Sequence, residues 1–273
     1  MSVRTLGRLV ILAAFLTLFL TQGFGRASAD LVIVTWNVKW SRQDPAAWLR
    51  GRLTEFDADV LCLQEIAESS ANRLQLQSLG FSQCAPKEYK AGDENAVFGR
   101  HGVSITPVAV SGLEYFTHPP AVVYLASRGL DTSIIVVHLK EGNDSKDRMK
   151  REEEMDQLVQ LVVCRLRADP DVMIVGDFNV ERPEAERLVD KLEAGTRTGG
   201  GSQEWILEPV DAPQGTTKGR HTYDYFLLSP DLAGEEAAGF SVGLPGNAMN
   251  WSASDHRPVI GRFRTDAQFQ DRH

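Results

Sequence analysis

Short apolar runs alternate along the chain with turn signals and a few amphipathic stretches. Leu31 to Thr35 (LVIVT) is an unbroken apolar run closed by Trp36-Asn37, and Asp59 to Leu63 (DVLCL) is a second, closed by Gln64-Glu65. Runs of this length with polar ends predict strands buried on both faces. Ala96 to Phe98, Val103 to Ile105, Ala121 to Ala126, Ser133 to Val137, Val172 to Val175, Tyr225 to Leu228 and Val259 to Phe263 predict further strands. Lys146 to Arg167 is the clearest helix: Met155, Leu158, Val159, Val162 and Leu166 recur at three- and four-residue spacing, and Pro170 follows. Its charged run REEEMD, Arg151 to Asp156, is expected on the solvated face. Pro45 to Phe56, Ser70 to Leu79 and Glu184 to Leu192 predict shorter helices, and the Gly-rich stretch Arg197 to Ser202 a loop. Strands and helices alternate without repeats, which predicts a layered α/β domain over residues 30–265, followed by a polar tail, 266–273.

The first 29 residues differ from the rest. Arg4 and Arg8 give a basic start, Leu9 to Leu20 is apolar apart from Thr17, and Ala27-Ser28-Ala29 offers a cleavage site. That pattern predicts a signal peptide over residues 1–29 and export, secreted or periplasmic. The apolar core falls short of the ~20 residues of a membrane span, so an uncleaved anchor is the lesser alternative. Losing Arg4, Arg8 and Arg26 with the leader takes 29 basic residues to 26 against 37 acids, a net charge of −11. Such a surface argues against tight non-specific duplex binding. It does not exclude a nuclease, because charge at a cleft can oppose the average. With three cysteines, at least one thiol stays free in an oxidising compartment. Cys62 reads as a small core hydrophobe, while pairing of Cys84 with Cys164 stays open.

The polar residues of interest share one placement, each following an apolar strand. Asn37 follows LVIVT, Glu65 follows DVLCL, His138 follows SIIVV, and Asp177 and Asn179 follow VMIV. Strand ends of α/β sheets are where sites form, on a rigid frame with variable loops. Alone, Asn37 is a turn residue, Glu65 a solvated acid and His138 an ordinary histidine; the company they keep raises them. Glu65, Asp177 and Asp255 suit a hard divalent ion such as Mg2+, with Mn2+ or Ca2+ possible, and would repel one another without one. His138 and His256 are the side chains suited to titrate near neutrality. Metal, carboxylates and imidazoles are what phosphodiester hydrolysis requires.

The segments TWNVKW, LQEI, VVHLK, GDFNV, YDYFLLS and SDHRPV occur in that order over residues 31–264. Together they resemble the motifs of the endonuclease/exonuclease/phosphatase superfamily, which includes deoxyribonucleases and sphingomyelinases. The resemblance implies a four-layer α/β sandwich of two mixed β-sheets flanked by helices. It implies a metal held by Glu65 with Asn37 and Asp255. Asp177 would orient or deprotonate the attacking water, and Asn179 would hold Asp177 and a phosphate oxygen. His256 would contact the scissile phosphate, paired with Asp224, and His138 would act toward the leaving oxygen. His118 stands where deoxyribonucleases carry a phosphate-facing arginine; it, Arg100 or Arg128 would take that place. Lys140 is a second candidate phosphate contact, and a carboxylate partner for His138 is expected near Asp93 or Glu94. The substrate implied first is nucleic acid, with a phospholipid head group as alternative, and a catalytically silent binding protein as a third reading. The WCDR-type motif of inositol polyphosphate phosphatases is absent. No stable partner is implied, and a monomer is expected. Trp36 and Trp40 read as packing residues, and His101 and His221 receive no role.

Overall fold

In the computed structural model the first strand, β1 (Leu31–Asn37), is buried on both faces. Its alternate residues serve two different cores. Leu31 and Ile33 enter a cluster that draws on both sheets, while Val32, Val34 and Trp36 enter a second on the outer face. The residues described are 30–38, 55–66, 76–85, 94–196, 204–208, 215–236, 240–244 and 254–264. The expected leader, most of the 45–56 helix, residues 70–75, the 197–202 loop, the tail, Trp40 and Asp93 lie outside them.

Two six-stranded sheets form the frame. In the first, β1 lies between β12 (Val259–Phe263) and β2 (Val60–Ile66); β4 (Glu94–Arg100) and β3 (Phe81–Ala85) extend it on one side and β11 (Phe240–Gly243) on the other. The second has the order β5 (Ile105–Pro107), β6 (His118–Ser127), β7 (Leu130–His138), β8 (Val172–Asp177), β10 (Asp224–Leu228), β9 (Ile206–Glu208). Both sheets are mixed: β1 and β2 run parallel, as do β7 and β8, and the other pairs are antiparallel. Ile33, Val60 and Cys62 pack against Val123, Ile134, Met173 and Phe226 between the sheets.

Helices α1 (Ser145–Leu166) and α2 (Arg182–Thr196) cover the outer face of the second sheet, where Leu158, Val162, Leu188 and Leu192 join Ile135, Ile174 and Tyr225. Phe56 and Leu76, both helical, cover the outer face of the first. The expected four layers are therefore present. Asp144 caps α1, accepting from Lys146 N and Asp147 N at 2.8 Å each. The short helix α3 (Pro230–Glu236) and the edge strands β3, β9 and β11 were not among the predicted elements. Among the described residues, no helix is long and apolar enough to cross a membrane.

One expectation needs correction. Arg151 and Glu154 are buried rather than solvated. Arg151 lies four residues before Met155 and Glu154 four before Leu158, on the stripe that faces the sheet. Cys84 and Cys164 are not joined. Cys84 packs toward the core between the sheets, whereas Cys164 is exposed on α1, across the second sheet. Cys62 is buried as expected.

Candidate functional site

The two parallel pairs end at the same pole, so β1, β2, β7 and β8 bring their C-terminal residues together. The Asn37 amide bridges them across the sheets: Nδ2 donates to Glu65 Oε1 at 2.9 Å and to Asp177 Oδ2 at 3.0 Å. Glu65 reaches inward because β2 is irregular between Leu63 and Ile66, with Glu65 itself at φ 52. A left-handed glutamate is strained, and such residues persist where the surroundings over-determine them. Asp177 follows Gly176, at φ +138, where a Cβ would lie 2.0 Å from Val137 O, so only glycine lets β8 close on β7 here. His138 and Asp177 are register partners, as are Asp224 and Asp177.

His138 Nε2 lies 3.8 Å from Glu65 Oε1 and 3.9 Å from Asp177 Oδ2. His256 Nδ1 lies 2.9 Å from Asp224 Oδ2, and its Nε2 3.7 Å from Asp177 Oδ2. Asn179, also left-handed at φ 52, donates its backbone N–H to Asp177 Oδ1 and its amide to Leu139 O, both at 2.9 Å. The segment carrying His256 is tied down in turn. Trp36 Nε1 donates to His256 O at 3.1 Å, and the Ser254 hydroxyl donates to Asn37 O at 2.8 Å while accepting from His256 N at 3.0 Å.

The two histidines sit in opposite electrostatic states. Burial pulls the His138 pKa down to about 4, more than the Asp177 charge restores, so this imidazole is neutral near pH 7. Its contacts with Glu65 and Asp177 are then not salt bridges. Burial also opposes charge on His256, but the Asp224 carboxylate beside it, with Asp177 and Asp255, outweighs that and pushes its pKa up to about 10. Burial and the neighbouring Asp224 raise the Asp177 pKa above the usual carboxylate range.

The remaining candidates divide. His118 joins the site, its ring stacked on that of His138 at 4.2 Å and 15°. Asn95, which the sequence did not single out, donates to Pro119 O at 3.0 Å and to His118 O at 3.4 Å. Asp255 lies beside His256, its carbonyl accepting from Lys218 N. Lys140 stands just past β7 with its ammonium 3.5 Å from Asp147. Arg100 and Arg128 are excluded as phosphate clamps. Arg128, in the turn after β6, binds Asp59 with both nitrogens at 2.9 and 3.0 Å, before the start of β2 and at the opposite pole. Arg100 donates to Ala58 O and pairs with Asp57 at that same pole. The expected carboxylate partner of His138 falls on Asp93 and the Glu94 side chain, outside the described residues. Glu154 was also missed. Its carboxylate accepts from Thr117 N and Lys140 N, both at 2.7 Å, and so clamps the segments that flank His118 and His138. The spacing that puts it on the buried stripe of α1 was the available signal.

The donors fit a hard divalent cation. Asp177 and Asp224 are almost wholly buried, and among the described residues the basic side chains that contact them are His256 and, at Asp177, the neutral His138, not lysine or arginine. Such a concentration of buried carboxylate favours a cation nearby. Asp177, Asp224 and His256 offer ligand atoms within 4.8 Å of one another. In that trio Asp224 and His256 already satisfy each other, so the Glu65–Asn37 side, with Glu65 20% exposed, is the better seat.

No curated protein matches the chain by sequence. Among solved structures it is similar to the catalytic domain of human nocturnin with bound sulfate (19% identity, TM-score 0.60, covering 87% of this chain and 96% of that one). It is similar to the endonuclease domain of TRAS1, a telomere-specific non-LTR retrotransposon (12%, 0.63, 87% and 99%). A third is the Neisseria 3′ phosphatase NExo bound to a product DNA hairpin (19%, 0.59, 85% and 99%). These likenesses establish a shared fold whose representatives include nucleases and phosphatases. Residues 34–256 match the Endonuclease/Exonuclease/phosphatase family, and the chain belongs to that family.

Proposed function

We propose that the protein is a divalent-metal-dependent phosphodiester hydrolase acting on nucleic acid, exported by its N-terminal leader. The convergence of Asn37, Glu65, His138, Asp177, Asn179, Asp224 and His256 at one pole carries this reading. Glu65 and Asn37, with Asp255 beyond them, would hold Mg2+; Mn2+ or Ca2+ suits the same oxygen donors. When bound, such an ion supplies positive charge against that developing on the phosphoryl oxygens.

The chain's own groups divide the rest of the work. Asp177 Oδ2, fixed by the Asn37 amide, orients a water for in-line attack and accepts its proton, a task suited to a carboxylate of raised pKa. Asn179 holds the other Asp177 oxygen through its backbone, and its amide keeps one hydrogen for a phosphate oxygen. Protonated His256 donates from Nε2 to the scissile phosphate, and Asp224 fixes its orientation through Nδ1. His138 is neutral in the free protein. The negative charge of a bound phosphodiester raises its basicity, which suits it to protonate the leaving oxygen, with His118 stacked behind it. Lys140 adds positive charge at the rim.

Hydrolysis of plasmid DNA, RNA and sphingomyelin, each with Mg2+ and with chelator, tests the reading. Nucleic acid is cleaved with Mg2+ and spared with chelator, and Asp177→Ala or His256→Ala lowers turnover by ~10²–10⁴-fold in a folded protein. Chelator-resistant cleavage, near-normal turnover in either variant, or turnover of sphingomyelin alone overturns it.

A further inference from the structure

The loop that leads into β10 is wound tightly and tied to the segment carrying His256. Thr216 N and Thr217 N donate to His221 O at 2.8 and 3.0 Å, Lys218 N donates to Asp255 O at 2.8 Å, and Arg257 N donates to Thr216 O at 2.6 Å. The Thr216 hydroxyl accepts from Tyr223 N at 3.0 Å. Gly215 makes the turn possible: at φ +61, a Cβ there would lie 2.3 Å from the Arg220 carbonyl carbon. Arg220 itself is left-handed, at φ 64. The loop is therefore a fixed support beside the site.

On this support His221 and Tyr223 present parallel rings, with centroids 5.3 Å apart and planes 6° apart. His221 Nδ1 contacts Glu181 Oε1 at 2.5 Å, which sets the ring, yet its side chain is 54% exposed. Tyr223 immediately precedes Asp224, the carboxylate that holds His256. Phe178 N, next to Asp177, donates to Tyr223 O. Burial, then the charges of Glu181 and Asp177, push its phenol pKa up. Lys218 and Arg220 are exposed on the same loop, and among the described residues neither side chain has an ion pair. Among the described residues, Lys140, Lys150, Arg151, Arg187 and Lys191 are each paired with an acid. In a chain of net charge −8, two uncompensated cations beside an open aromatic face are suited to phosphate and base.

We propose that the His221–Tyr223 pair is a stacking platform for an unpaired base next to the scissile phosphate, with Lys218 and Arg220 holding the adjoining phosphates, so that the preferred substrate is single-stranded nucleic acid. The position of the scissile phosphate rests on the hydrolase reading above. Every base offers a π-face to a ring, but in a duplex those faces are already stacked on neighbours. The acidic surface also disfavours the denser phosphate array of a duplex.

Fluorescence anisotropy of the full chain carrying Asp177→Asn, in chelator, with a labelled single strand or its duplex, tests this directly. His221→Ala weakens single-strand binding ~10-fold, whereas His221→Phe, which keeps a ring, stays within ~3-fold of the parent. Lys218→Ala with Arg220→Ala lowers the slope of log affinity against log salt by ~0.7 per lost phosphate contact. Unchanged binding in His221→Ala, equal loss in His221→Phe, or a duplex bound more tightly than the single strand overturns the platform. So does binding to sphingomyelin vesicles in place of the oligonucleotide. If the unsubstituted chain binds the single strand but does not cut it with Mg2+, the hydrolase reading fails and the platform stands.

Discussion

Glu154 offers the sharpest test of how the site is held. Its carboxylate lies wholly buried on α1 and accepts two backbone N–H groups, from Thr117 ahead of β6 and from Lys140 after β7, each at 2.7 Å. Arg151, three residues earlier, donates to Lys140 O and Gly142 O at 2.7 and 2.9 Å, so one turn of helix fixes both sides of the Lys140 segment. Glu154→Gln keeps the size but replaces one oxygen with an amide donor. Either way the amide turns, one backbone N–H faces another donor in a buried space. The unsatisfied group costs ~1–3 kcal/mol, and the surviving bond loses its charge assistance, so the expected destabilisation is ~3–5 kcal/mol. That is a large share of the ~5–15 kcal/mol that holds a typical domain together. His118 lies one residue beyond Thr117 and His138 two residues before Lys140, so a shift of ~1 Å at these segments would cost ~10²-fold in turnover. Urea unfolding and turnover of a phosphodiester, measured together, check both. Glu153→Gln is the control: that side chain is mostly exposed and pairs loosely with Lys150 at 3.5 Å, so it should change stability by ~0.5 kcal/mol or less. A Glu154→Gln variant within ~1 kcal/mol of the parent would refute the clamp.

Asp224→Asn removes the charge that outweighs burial at His256. In metal-free protein the imidazole should remain protonated at pH 8 by NMR, whereas in the variant it should titrate below ~6.5 and turnover should fall ~10²–10⁴-fold. Because the folded pKa lies above the unfolded one, the stability this group adds is whole below ~6.5 and is lost as pH rises through about 10. The urea midpoint of the parent should therefore drop over that window more than that of Asp224→Asn, and parallel curves would refute the pairing. Gly176→Ala places a methyl 2.0 Å from Val137 O at φ +138, and should destabilise by ~3 kcal/mol or more. A urea midpoint near that of the parent would show that β8 can part from β7 without loss.

The legible part of this structure is the part governed by burial. Strands such as β1, β7 and β8 are buried on both faces, so their apolar runs are continuous, and the first polar residue after each run marks where the chain leaves the core. Asn37, Glu65, His138 and Asp177 were found that way. Edge strands give no such signal. β3 and β11 have partly exposed faces, and their residues show no pattern that predicts an element. Glu154 was misread because a run of charges is usually a solvated face, and only its register with Met155 and Leu158 tells otherwise. Arg128 stood among the phosphate candidates because a guanidinium suits a phosphate and a buried Asp59 equally well, and the sequence does not say at which pole a turn lies. His221 received no role, and Tyr223 none either, because stacking depends on a turn whose left-handed arginine no periodicity reports.

The site also explains why two mixed sheets are needed rather than one. In each sheet the parallel pair brings two strand C-termini to the same edge, and face-to-face packing sets the β1/β2 ends against the β7/β8 ends. Asn37 then spans the gap, with one amide nitrogen between a carboxylate of its own sheet and one of the other. At the opposite pole Arg128 of the second sheet grips Asp59 of the first, whose carboxylate also accepts from Val32 N. The sandwich is thus pinned by polar contacts at both ends and filled between them by apolar side chains such as Ile33, Val60, Met173 and Val175. Relative movement of the sheets would separate Glu65 from Asp177 before it disturbed either sheet internally. The spacing of the candidate metal ligand and the candidate base is therefore a property of the core between the sheets, and catalysis and core packing are coupled through Asn37.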